Sequence, residues 1–465
     1  MLKNKKFARY TIAFIILGIL LNFFYSGLQS DQINIIQGFS AWSATSTQLP
    51  MTVGNFVCII LTFLYGTCFI KFGVRKTLIP CMAVAAIGCV GIALANGLAI
   101  NDGAGNYVLF FISLFLVRIS CMCFQMSSMQ LAASWFIKYR GTVLGIVTIG
   151  SPLFSVVGTS GMTNFITNYL GGDYRPFYVG IAVILVIIAI CVGLFLRDTP
   201  EEVGLYPDGA ATKPKTEAQD EVHLTVGQVL KKGKSWMLIC NFGAYQFVIN
   251  ACMASMVVWF TWLATNYADV VAAGSLGAAF EAMGGLEGSG SMVLFVNQAS
   301  RWLAVGAILG IPLSFLFGVI DDHFGTPVAC ILLGVACIIP PLCLGLQMYA
   351  VASTGSCSIP LLVIWGIGVA CMTGGVPTMH PASISYVFGR REYQSANRVI
   401  MAIQLIPSAV AAYFMAYMIQ AGHGFLAWMI IVCVAIFGII STIPMFRIKD
   451  ANAADRLYGD KSAAN

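Results

Sequence analysis

The chain has 465 residues, of which 58% are hydrophobic and 9% charged, with a mean hydropathy of +0.85. A water-soluble globular domain needs far more charged surface, so this composition excludes one and places the protein in a bilayer. The net charge of +6 is spread over short segments between apolar runs and forms no clustered basic face, which excludes a case for nucleic-acid binding.

Stretches long enough to cross a hydrocarbon core, roughly 20 residues each, run near 10–30, 48–70, 78–98, 107–134, 141–168, 177–197, 235–265, 301–320, 327–347, 358–386, 396–421 and 425–447. These predict an all-α membrane protein with about twelve spans. The basic start, Lys3 to Arg9, precedes an apolar run too long for a secretory signal and is read as a retained first helix. With both termini on the cytoplasmic side, every Lys and Arg except Arg118, Arg175 and Arg301 falls at a cytoplasmic helix end or loop. Nearly all the cysteines sit singly in apolar runs, Cys121 and Cys123 point to different faces of one helix, and no Cys-x-x-Cys occurs, so neither metal nor structural disulfide is assigned.

In chain order, the first span carries Asn22, Tyr25 and Gln29 at i, i+3 and i+7, a polar stripe that must face a cavity or another helix. Arg118 lies well inside the fourth span, where a guanidinium cannot readily be neutralised and must meet water, a partner or a substrate. Met122, Gln125 and Met129 share its side of the helix. An Arg fork suits a carboxylate. A structural Arg satisfied by carbonyls or amides is the alternative. Gly141 and Gly145 in the fifth span, like Gly306 and Gly310 in the eighth, have the spacing of close helix packing.

Asp198 to Lys234 is the long polar stretch, with Pro200, Pro207, Pro214 and mixed charges, and reads as a cytoplasmic linker. It divides the chain into an N-terminal six-helix half over 1–197, a linker over 198–234 and a C-terminal half with a cytoplasmic tail over 235–465. The seventh span repeats the amide and phenol of the first as Asn241 and Tyr245. The outer segment 266–300 carries Asp269, Glu281 and Glu287 without a readable role. In the tenth span, Gly374, Gly375, Pro377 and Pro381 surround His380 and favour a break or kink. His380 is a candidate proton carrier, since imidazole titrates near physiological pH, and a hydrogen-bonded structural His is the other reading. Gln404 is a polar position in the eleventh span.

One pattern occurs twice, about half a chain apart: Gly66-Thr-Cys-Phe-Ile70-Lys71-Phe-Gly73 and Gly318-Val-Ile-Asp-Asp322-His-Phe-Gly325. Each joins two spans, which predicts two related halves. The charge of Asp322 would favour the positive N-terminal end of a helix from the other half, the candidate being the fifth, starting near Gly141 beside Arg140, and a solvated loop Asp is the other reading. These loops, the spans and the linker together resemble the major facilitator superfamily over essentially the whole chain. Trp135-Phe136-Ile-Lys138-Tyr-Arg140-Gly141, Asp173-Tyr-Arg175-Pro-Phe177 and Phe388-Gly389-Arg390 fit the same resemblance. Trp42-Ser43 and the run Asp198-Thr-Pro200-Glu201 through Pro207-Asp208-Gly209 look like its oxalate/formate antiporter and monocarboxylate porter branch.

The resemblance implies alternating access, with Gly66, Gly73, Arg75, Arg140, Gly318, Asp322 and Gly325 at the closing crossings. It matches Arg118 to the superfamily's fourth-helix Arg. It also exposes departures: Ser314 and Gln404 stand where that branch carries an Arg and a Lys, and Ile70 stands where the superfamily has an Asp. Oxalate itself is thereby disfavoured. The resulting expectation is a secondary transporter, not an enzyme, in the cytoplasmic membrane, moving a monocarboxylate or similar anion. A counter-substrate or coupling proton accompanies it, without cofactor or metal, and the protein works as a monomer. Substrate contacts are expected from Arg118, Gln125, Asn22, Tyr25, Gln29, Asn241, Tyr245 and Gln404. A neutral-solute carrier or drug exporter and, from a different class, a non-transporting sensor or scaffold are the alternatives.

Overall fold

A computed structural model describes residues 5–28, 42, 44–97, 105–156, 163–209, 224–266, 309–354 and 359–451. Gln29, Gly306, Arg301 and the outer segment beyond Asn266 lie outside the described residues. Within them the chain is helical. In hydrocarbon every backbone N–H and C=O must be satisfied inside its own segment, and an α-helix does this.

In the first half α1 spans Lys5–Ser26, α2 Ala44–Phe72, α3 Val74–Leu94 and α4 Tyr107–Trp135. The fifth span comprises α5, Arg140–Thr148, α6, Gly150–Val156, and α7, Thr163–Tyr169, and the sixth is α8, Arg175–Phe195. A short linker helix α9, Val226–Lys231, precedes α10, Gly233–Asn266. The second half continues with α11 over 309–324, α12 over Thr326–Thr354, α13 over Ile359–Gln420 and α14 over Gly424–Thr442. Together they make the twelve-span arrangement in two related halves. Seven of the helices are individually long and apolar enough to cross a membrane among the described residues.

One feature adds to the sequence reading and one corrects it. The hydrogen-bond ladder of the fifth span shifts between α5 and α6 at Ile149, which keeps helical φ and ψ of −54° and −27° while its N–H turns to Ile146 O at 3.3 Å. Pro152 has no N–H for the Thr148 carbonyl, and Gly150 is pressed onto the α1 backbone, where a Cβ would lie 2.8 Å from the Phe23 nitrogen. The tenth span, by contrast, does not break at its glycines and prolines. The one non-helical residue in α13 is Gly389, at φ 79° and ψ 169°, where the tenth span turns into the eleventh. Gly374 and Gly375 serve packing instead, since a Cβ on Gly374 would lie 2.7 Å from the Gly310 carbonyl and one on Gly375 would strike Leu333 and Phe317.

The repeated loops share one backbone device. Gly73 and Gly325 both take positive φ, 84° and 88°, a region that other residues enter only under strain. Each donates its N–H back to the preceding helix, Gly73 to Phe69 at 3.1 Å and Gly325 to Asp321 at 3.0 Å. The helices α2–α3 and α11–α12 are therefore joined by equivalent glycine turns at the same end of the bundle.

Candidate functional site

Arg118 lies eleven residues after the start of α4 at Tyr107, about 16 Å along a helix of 1.5 Å rise, near the middle of a hydrocarbon core. Its side chain is buried, with its stem over Gly54, where a Cβ would lie 2.6 Å from Arg118 Cγ. Arg118 Nε donates to Asn55 Oδ1 of α2 at 2.6 Å. Nη1 is buried without a hydrogen-bond partner among the described residues. The guanidinium is thus held on its Nε side, and its Nη edge is left for another acceptor.

Asn55 is exposed, and helical geometry tells where it points. Leu49, Val53, Phe56, Ile60 and Leu64 form the exposed apolar stripe of α2, and Asn55 lies roughly 140° round the helix from it. It shares a face with Gly66, eleven positions on and roughly 20° away. At Gly66 that face meets the other half: a Cβ there would run into the Arg398 side chain, and Arg398 Nη1 donates to Thr67 Oγ1 at 3.1 Å. The face of α2 that is closed against the second half at Gly66 is therefore open at Asn55. On the same wall of α4, Met122 and Met129 are buried and Gln125 is half-buried.

The other polar positions are bound within the halves. Asn22 is buried and donates to the Gly18 carbonyl and to Ser128 Oγ of α4, both at 2.9 Å, and Tyr25 is half-buried. Asn241 donates to Gly438 O at 2.8 Å and bonds Thr442 Oγ1, and Tyr245 donates to Cys330 O at 3.2 Å. Both turn α10 toward α14 and α12, away from the first half. His380 Nε2 and Gln404 Oε1 are 2.7 Å apart, Gln404 Nε2 donates to Leu238 O at 2.9 Å, and the Phe242 ring stands edge-on to His380 with centroids 5.2 Å apart. His380 and Gln404 thus come together, buried, tying the two arms of α13 to α10.

At the glycine-turn end the halves meet closely. Asp322 accepts from Gly141 N at 3.0 Å and from Thr142 N and Oγ1 at 2.8 and 2.5 Å. It binds the first orphan N–H groups of α5, where the helix dipole favours an anion. A Cβ on Gly141 would lie 2.7 Å from Gly318 O, and Gly318 itself abuts the Gly141 backbone. One turn further in, Ser314 Oγ donates to Gly145 O at 2.9 Å. Thr148, Ser314 and Thr378 hydroxyls form a buried triangle of 2.7, 2.9 and 3.1 Å between the halves. Arg140 donates to Ser385 Oγ at 2.7 Å and Ala382 O at 3.2 Å of α13. Arg75 differs: its N–H donates to Asp198, the first residue of the linker, at 2.8 Å, and its guanidinium bonds Gly193 O within the first half, so neither contact reaches the second half.

The linker reaches this end as well. Asp208 Oδ2 accepts from Ile137 N at 3.0 Å and Lys138 N at 2.8 Å, just ahead of α5. Burial raises the carboxyl pKa of both Asp208 and Asp198 above the ordinary value, against the pull of these N–H bonds. Asn55 and Asp208 are among the polar residues that sequence reasoning missed, as are Arg398, Thr148 and Thr378 of the contact between the halves. A single amide in an apolar span has no spacing signal, while the Pro-Asp-Gly turn at Asp208 does mark a place where a carboxylate can fold back.

The sequence matches the profile of the Major Facilitator Superfamily over residues 7–387. No curated protein sequence matches it. Among solved structures, the E. coli fucose:proton symporter FucP superposes with a TM-score of 0.64 at 13% identity, covering 95% of this chain and 99% of that one. The proton:xylose symporter XylE bound to 6-bromo-6-deoxy-D-glucose gives 0.62 at 15%, covering 98% and 100%. FucP in the outward conformation gives 0.60 at 14%, covering 95% and 100%. At these identities the likeness is one of fold, and with the family match across most of its length the chain belongs to the Major Facilitator Superfamily, a family of membrane transporters.

Proposed function

We propose that the protein is a secondary transporter of a small organic anion, a monocarboxylate or close analogue, working by alternating access in the manner of the oxalate/formate and monocarboxylate porters. The observation that carries this reading is the state of Arg118. It is a mid-membrane guanidinium held by Asn55 on one side and unpartnered at Nη1, on the wall that opens between the halves. A desolvated Arg edge of this kind is suited to a carboxylate, which it receives with two parallel donors. Asn55 supplies a neutral donor beside it, and Gln125 another, about two turns along the same face of α4. Asn22, Asn241, Tyr245, Gln404 and His380 hold helices together on this reading, so neither substrate contact nor proton transfer is assigned to them.

The sealed glycine-turn end is taken as cytoplasmic, with both termini and the 198–234 linker on that side of the plasma membrane, because the Lys and Arg residues collect there. The described state is then closed inward and open outward. A reporter fused after Asn465 that is active only outside the cell would reverse this orientation.

The test of the substrate class is binding and flux in proteoliposomes over short carboxylates and uncharged sugars. Anions should bind to the wild type, with Arg118→Lys weakening them about tenfold and Arg118→Gln at least about thirtyfold, the loss expected when one member of a buried charge pair is removed. Intact anion binding by folded Arg118→Gln, or transport confined to neutral solutes, would overturn the anion assignment and favour a neutral-solute carrier.

A further inference from the structure

On its outer surface the first half carries an apolar groove of about 370 Å³ between α1 and α8. The groove exists because these helices pack elsewhere, α1 on α4 and α6 and α8 on α3, leaving their facing sides apart. Leu17 and Leu20 of α1 and Ile188 and Phe195 of α8 form its walls, and Trp135 at the end of α4 also lines it. Ile12 and Ile16 on α1 and Ile187 and Leu194 on α8 are exposed beside it. Both helices are long and apolar enough to cross the membrane, so the groove opens to lipid and not to water. Its volume falls in the range of small-ligand sites, roughly 300–1,000 Å³.

The polar groups of the groove are gathered at one end. Arg197 follows α8 there, and Tyr10 brings a phenol from the second turn of α1. Trp135 Nε1 donates to the Arg197 carbonyl at 3.2 Å, which fixes that residue against the groove. Arg197 Nη1 donates to Leu194 O and Leu196 O at 3.3 and 2.8 Å, engaging one arm of a fork that has five N–H donors. Glu202, in the turn beyond, lies close enough to feel the Arg197 charge. An apolar slot with a guanidinium and a phenol at its water-side end complements a phospholipid, hydrocarbon along the helices and phosphodiester at the fork, while the Glu202 carboxylate beyond suits the ammonium of a zwitterionic headgroup.

We propose that this groove is a binding site for a phospholipid of the surrounding bilayer, with one acyl chain between α1 and α8 and its phosphodiester on Arg197 and Tyr10. The site is independent of the transported solute.

The test uses the full chain in nanodiscs of phosphatidylcholine brominated on one acyl chain, with native mass spectrometry of the same protein released into detergent. Trp135 emission, obtained as the difference between wild type and Trp135→Phe, should be quenched by the brominated chain, and one phospholipid should survive detergent release. Arg197→Gln should cut the retained fraction about tenfold, as loss of a charge-assisted hydrogen bond implies. Ala13→Phe, which fills the groove, should abolish both signals, with elution volume and unfolding temperature reporting that each variant is folded. Unquenched Trp135 would mean that protein occupies the groove and would overturn the proposal. Equal lipid retention by wild type and Arg197→Gln, or retention of detergent in place of phospholipid, would do the same.

Discussion

Arg118 owes its geometry to an amide 63 positions away in the chain. Asn55 neutralises nothing, yet by accepting from Nε it fixes the plane of the guanidinium and decides which edge is free. Asn55→Ala should therefore leave folding intact and weaken anion binding about fivefold, less than any change at Arg118 itself, because one hydrogen bond to a charged group is lost and the charge is kept. Equal affinities for Asn55→Ala and wild type in a calorimetric titration would show that Arg118 is positioned by its stem alone. The charge at Arg118 was legible in the sequence because hydrophobicity makes it conspicuous. Its partner was not, since helical spacing relates residues on one helix and says nothing of which face of α2 meets α4. The same limit applies to Asn241 and Tyr245: their polar stripe could be read, but whether a cavity or α14 and α12 received it depended on how α10 is rotated.

Asp208 gives a pH prediction at the same scale. Burial raises its pKa in the folded protein, so the folded state holds this proton more tightly than the unfolded chain does. The resulting cost to stability is absent below the ordinary carboxylate value, about 3.9, and grows as pH rises from there through the raised one. Asp198 shifts the same way, while Asp173, bonded by Arg175, shifts down. Comparing Asp208→Asn with wild type isolates one group: the variant should gain unfolding temperature relative to wild type at pH 7 and lose that advantage toward pH 4. Parallel profiles would show that Asp208 does not titrate in this window.

At the scale of elements, the crossing of α5 and α11 depends on the absence of side chains. A Cβ on Gly145 would lie 2.6 Å from Ser314 O, and backbone cannot yield as a flexible side chain does. Gly145→Val should force the helices apart and raise hydrogen–deuterium exchange across α5 while leaving α3 and α8 unchanged. Uniform protection in the variant would mean that the crossing absorbs the added atoms. The glycine turns were legible because Gly at the first and eighth places recurs, and the αL-side φ of Gly73 and Gly325 supplies the physical reason for the last of them. The tenth span misled because Gly and Pro carry two meanings, broken backbone or close approach, and only the presence of Gly310 and Phe317 against Gly374 and Gly375 distinguishes them. The unbroken passage through Pro377 and Pro381 also leaves Gly389 as the residue that reverses the chain.

For the whole molecule, the closed end joins the halves through Asp322, Arg140, Arg398 and the hydroxyl triangle, while Asn55 lies open on the same face of α2 as Gly66. On the proposed mechanism the closed and open arrangements differ by the rupture of this seam. Asp322→Asn keeps the shape and one acceptor oxygen but gives up the charge assistance of bonds to two backbone amides at a half-buried site, a loss of about 1–2 kcal/mol in all. It should shift the population toward opening at the glycine-turn end without altering substrate affinity in the outward state. Faster exchange at the Gly141 and Thr142 amides would register the shift, and unchanged exchange would remove Asp322 from the seam's energetics.

The latch at Asp322 has a consequence for how this sequence can change. Two of its three donors are main-chain N–H groups of Gly141 and Thr142, which every residue except proline presents alike. The side chain at 142 can therefore be exchanged with loss of the hydroxyl donor alone, whereas position 322 needs a short carboxylate and position 141 needs no side chain. The two faces of one contact carry unequal mutational freedom. A random library selected for leaky variants should accordingly collect its hits at 141 and 322, with 142 contributing chiefly through proline.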